Sequence, residues 1–155
     1  MKLNHIVFIN IVLFFSLILL NACGSDHDHG PTPIGLVLTA GGDDVAMQEE
    51  TTVTYVEGNS IEVPENTQLE LQVHFISEDG NRYFPDVNEG FFLEANSGDE
   101  QVLNISHPVN SHEWTLSLIG LSQGSTTISF ELWHVDHSDF ESRPFQVTVT
   151  ENLPE

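Results

Sequence analysis

The chain has 155 residues, with 24 acidic side chains against three basic ones and a formal net charge of −21. Such a surface repels phosphate backbones and anionic headgroups, which excludes nucleic acid as a partner. Cys23 is the only cysteine, so an intrachain disulfide is excluded as well.

The first element runs from Met1 to Ala22. Lys2 precedes an apolar run from Ile6 to Leu20, interrupted by Asn10. The run is short for a membrane span, which needs about 20 apolar residues. A charged start, a short apolar stretch and a small-residue end are the parts of a secretory signal. The tetrapeptide Leu20-Asn21-Ala22-Cys23 resembles the bacterial lipobox, in which an aliphatic, a variable and a small residue precede cysteine. Asn21 is an uncommon choice at the loosest of these positions. The resemblance implies cleavage after residue 22 and acylation of Cys23, and two or three acyl chains anchor stably where one is marginal. The expected division is a signal peptide (1–22), a lipidated tether (23–33), one domain (34–151) and a short tail (152–155).

Once Lys2 is removed, only Arg82 and Arg143 offset the acidic residues. Residues 24–33 are polar, carry Gly and Pro, and read as a flexible tether. In bacterial lipoproteins Asp after the lipidated cysteine retains the protein at the inner membrane. Gly24 stands there instead, so the resemblance implies the outer membrane, on its periplasmic face or at the cell surface.

From Ile34 onward the apolar pattern has period two rather than 3.6. Seven strands are expected: A (35–40), B (67–76), C (near 83–94), D (101–106), E (113–119), F (126–135) and G (143–150). B is the clearest, with Leu69, Leu71, Val73 and Phe75 alternating against Gln68, Glu70, Gln72 and His74. Turn chemistry separates them at Glu78-Asp79-Gly80-Asn81, Ser97-Gly98-Asp99, Pro108-Val109-Asn110 and Gln123-Gly124-Ser125. Segment 43–63 is expected to add one hairpin. Short strands at this spacing make an all-β sandwich. The block from Trp114 through Gly120-Leu121-Ser122-Gln123-Gly124 to Thr150 resembles the end of bacterial immunoglobulin-like surface domains, which implies a single immunoglobulin-like antiparallel β-sandwich.

Seven histidines follow Cys23: His27, His29, His74, His107, His112, His134 and His137. On an immunoglobulin-like topology all seven map to one pole. By strand parity His107, His112 and His134 share the inward faces of their strands, whereas His74 faces the other way. His134 and His137 converge only if the chain bends near Asp136. Zinc takes three or four nitrogen or oxygen ligands. The expected shell is His112, His134 and His137 with Asp136 or Asp139, and His107 in reserve. Neighbouring carboxylates would orient the rings, and binding should weaken as pH falls through about 6 and imidazoles protonate. His27 and His29 form a weaker site on the tether. Acidic turns at Glu78-Asp79 and Asp99-Glu100 are calcium candidates, although no EF-hand pattern is present.

No nucleophile elbow, HExxH or phosphate-binding loop occurs, so the chain reads as a non-enzyme. The expected function is a membrane-anchored binding lipoprotein that captures zinc or a similar divalent ion, with an outer-membrane receptor or envelope protein as partner. The alternative is a structural or adhesive module, or an accessory subunit of an outer-membrane complex, with no metal role.

Overall fold

The computed structural model describes residues 30–152. The expected signal peptide, Cys23, His27 and His29 lie outside the described residues. Twelve strands follow: β1 (Pro33–Ala40), β2 (Asp43–Glu49), β3 (Thr52–Tyr55), β4 (Ile61–Pro64), β5 (Gln68–Ser77), β6 (Arg82–Tyr83), β7 (Phe91–Ser97), β8 (Leu103–Ser106), β9 (Thr115–Gly120), β10 (Gly124–His134), β11 (His137–Glu141) and β12 (Phe145–Thr150). A single 3-10 turn, Val87–Glu89, precedes β7.

The strands form two sheets. The first has the order β3-β2-β1-β5-β9-β8, with β6 on the end of β5. In the second, β10 pairs with β7 on one edge, and with β12 and then β11 on the other; β12 in turn pairs with β4. All pairings are antiparallel except β4 with β12. β1-β5-β9-β8 reproduces the A-B-E-D sheet of an immunoglobulin-like sandwich, and β7-β10-β12 its C-F-G sheet.

Period-two alternation creates the core. Leu71, Val73 and Phe75 of β5 are fully buried, as are Ile128 and Phe130 of β10 and Phe145 and Val147 of β12. Each such side chain contributes about 1.5–3 kcal/mol by leaving water. Polar side chains tie the sheets together at their margins. Tyr55 Oη accepts from the Gln146 amide at 2.6 Å, and Gln48 Oε1 from the Arg143 amide at 2.6 Å. On the opposite side a Glu113 carboxylate oxygen accepts from the Leu93 amide of edge strand β7 at 2.8 Å.

Three local expectations need correction. Segment 43–63 holds the expected hairpin, β2–β3, but also β4, which crosses to the second sheet. Strand C is broken: β6 and β7 are separated by the 3-10 turn, which Asp86 caps by accepting from the Asn88 amide. The expected F–G loop contains a further strand, β11, hairpinned onto β10.

Candidate metal centre

The site is built by the β10–β11 hairpin. Val135 and Asp136 connect the strands, so His134 and His137 stand directly opposite each other. Val135 turns the chain with φ at 57°, a left-handed conformation that costs a β-branched residue about 1–3 kcal/mol. Its amide donates to the Gly90 carbonyl at 3.0 Å, which holds the turn in place.

The register slips between Leu132 and Trp133, which pair with Phe140 and Ser138 and leave Asp139 as the extra residue. A bulge re-aims a side chain. Here it lets consecutive residues face inward: Phe140 packs edge-on against Phe75 at 5.8 Å, while Asp139 turns to the histidines.

His134 is the most constrained member. Its ring stacks on Phe91, with centroids 4.2 Å apart and planes 13° apart. Gly90, with φ at 93°, closes the 3-10 turn and leaves the Glu89 carbonyl facing His134 Nε2 at 3.1 Å. A carbonyl only accepts, so this contact places a proton on Nε2, and in the neutral ring Nδ1 then carries the lone pair. Nδ1 faces Asp139 Oδ2 at 3.8 Å. His137 places Nε2 2.9 Å from Asp139 Oδ1 and Nδ1 3.3 Å from Asp136 Oδ1. His134, His137 and Asp139 each offer one ligand atom, and the three atoms lie within 4.8 Å of one another. Zinc bonds of about 2.0–2.1 Å put ligand atoms no more than about 4.2 Å apart. The three atoms would have to draw together by up to about 0.6 Å to reach that spacing. Asp136 reaches the outer nitrogen of His137, where a carboxylate orients a ligand rather than supplying one.

The other sequence candidates do not join this group. His107 Nε2 donates to the Glu113 carbonyl at 2.6 Å. His112 closes a tight turn of its own: its amide donates to the Val109 carbonyl at 2.9 Å. Asn110 and Ser111 within that turn have φ of 53° and 63°, the pattern of a type I′ turn. This loop folds on itself instead of reaching over β10. The converging ligands therefore come from six consecutive residues, not from distant loops. His74 lies inside β5 opposite Val37 and packs at a 31° tilt against Phe84, with centroids 4.5 Å apart. The acidic turns are engaged locally, with Asp79 accepting from Ser77 and Asn81 and Asp99 accepting from the Gln101 amide.

Sequence reasoning missed the supports: Glu89, Gly90, Phe91 and Tyr83. Burial and the negative charge of Asp139 push the Tyr83 phenol up to about 12. Its hydroxyl donates to the Pro31 carbonyl at 2.5 Å, which fixes the start of the domain beside the site. No regular signal marks these residues, although Gly90 before two phenylalanines is a turn cue.

No family model and no curated protein matches the chain. Among solved structures it is similar to parts of the S-layer protein SbsC. For domains 5–6 the TM-score is 0.45 at 16% identity, covering 63% of this chain and 43% of that one. For domains 4 and 5 the values are 0.42 and 14%, covering 66% and 61%. For domains 4–9 they are 0.46 and 11%, covering 81% and 23%. The chain thus spans less than two thirds of each of these structures.

Proposed function

We propose that this protein is a non-catalytic binding lipoprotein of the bacterial cell envelope, and that its β10–β11 hairpin captures zinc or a similar divalent ion. One observation carries the metal reading. His134, His137 and Asp139 each bring one ligand atom within 4.8 Å of the others, while the Glu89 carbonyl and the Asp136 carboxylate face His134 Nε2 and His137 Nδ1. Three protein ligands leave a fourth position for water or for an acceptor's side chain, which suits capture and release. The lipobox resemblance supports attachment through Cys23 and an outer-membrane location. Tyr83 donates to the Pro31 carbonyl and stands near enough to Asp139 to feel its charge, so an anchored chain would present the hairpin near the membrane and raise its effective concentration there.

Titration calorimetry with zinc chloride tests the metal reading. The protein should bind one equivalent, and the His134→Ala/His137→Ala variant should not. Equal heats from both would remove the claim. Metabolic labelling with a radioactive fatty acid tests the anchor: label should be lost in Cys23→Ser.

A structural or adhesive role is the second reading. It is favoured by large apolar side chains left exposed on the outside of the sandwich, Phe92 and Val87 among them.

A further inference from the structure

The outward face of the second sheet carries a patch that neither the core nor the hairpin site uses. In β7 and β10 the inward residues Leu93, Phe130 and Leu132 are buried, so Phe92, Glu94, Glu131 and Trp133 face out. Trp133 pairs directly with Phe92, and their rings lie 6.2 Å apart and 13° from parallel. Phe92 is 40% exposed. One step along the sheet, Glu131 pairs with Glu94 on one side and with Glu141 on the other. Three carboxylates therefore stand in a row across three strands beside an aromatic pair. Trp133 Nε1 donates to Glu131 Oε2 at 3.1 Å, which joins the rings to the row.

Folding does not account for this row. Like charges directly opposite one another in a sheet are destabilising. Among the described residues no arginine or histidine forms an ion pair with these three glutamates.

We propose that this face docks an arginine-bearing segment of a different, basic protein. A guanidinium is planar and weakly hydrated, stacks on aromatic rings and bonds carboxylates through paired N–H groups. The patch offers both kinds of contact side by side. A second copy of this chain is a poor occupant. It carries a net charge of −21 and two arginines beyond the signal segment, and Arg82 is already held by both oxygens of Asp44 at 2.7 Å. The occupant must therefore bring its own positive charge.

The test is calorimetric titration of the protein with an acetylated, amidated decapeptide of alternating arginine and serine. EDTA is present throughout, so the result is independent of the hairpin metal. Phe92→Ser and the triple variant Glu94→Gln/Glu131→Gln/Glu141→Gln should each weaken binding about tenfold. A control triple, Glu57→Gln/Glu62→Gln/Glu65→Gln, removes the same charge elsewhere and should weaken it by less than about threefold. The lysine–serine decapeptide should bind more weakly than the arginine one, and the citrulline–serine decapeptide should not bind. Circular dichroism checks that the variants are folded. Three results would each overturn the proposal: absence of binding in low salt, equal weakening by the two triple variants, or unchanged binding by Phe92→Ser.

Discussion

Asp139→Ala offers the sharpest test of the hairpin site. The side chain is one quarter exposed and does not belong to the hydrophobic core cluster. Without metal, the substitution should change stability by no more than about 0.5 kcal/mol. With metal the expectation differs. An ion that binds only the folded state stabilises it by about 2.7 kcal/mol at one hundred times its dissociation constant. For a domain of this size 1 kcal/mol moves the melting temperature by roughly 3–5 °C. Saturating zinc should then raise the melting temperature of the parent by about 8–14 °C. The ligands lie within residues 134–139, so the unfolded chain can also chelate, which pulls the shift toward the lower figure. Asp139→Ala removes one of three ligands and should abolish most of the shift. Asp136→Asn alters only an orienting contact at an 89% exposed carboxylate and should leave most of it. Scanning calorimetry with and without zinc reads all three proteins. An equal zinc shift in the parent and in Asp139→Ala would refute the assignment of Asp139.

The remaining predictions concern the scaffold. Phe130→Ala empties a fully buried position packed on Phe145 at 5.9 Å and should cost about 3–5 kcal/mol in urea unfolding. Val135→Gly removes the left-handed strain at φ 57° and should stabilise the protein by about 1 kcal/mol after the added chain entropy; a loss of stability would show that the valine side chain, not the backbone, dominates. Burial, with Arg82 adding, holds the His74 imidazole below its usual value despite Asp44. The unfolded chain therefore takes up that proton first, and stability present above about pH 6.5 is lost as pH falls toward the lowered folded value. Urea midpoints at pH 7 and pH 5 should differ less in His74→Gln than in the parent.

The sheets were legible in the sequence where alternation was strict. β5, β10 and β12 bury the residues that parity selects, because a period of two leaves one choice of inward face. β4 was not legible: Ile61 and Val63 are too few to show a period, and only tertiary pairing with β12 decides which sheet they join. The metal site divides in the same way. Parity placed His134 at the rim of the core, and the bend at Val135–Asp136 brings His137 opposite it. Asp139 depends on a bulge, which has no compositional mark here. His107 and His112 left the group because Asn110 and Ser111 turn their loop into a small hairpin, a backbone preference that strand parity does not contain.

The parallel pairing of β4 with β12 joins Ile61 to Val147, and Val63 to Val149. β12 also fills the position beside the first half of β10. A chain made from its N-terminus can zip β1, β2 and β3 together early, since they are consecutive. β7, β10 and β11 can pair before the last strand is made, but β4 cannot join them until β12 arrives, and until then Ile61 and Val63 lack the strand they pair with. Non-local pairing of this kind is slow and prone to aggregation. A polypeptide that stops short of Phe145 lacks the strand that links β4 to β10, so the second sheet is complete only once the C-terminal strand has been made.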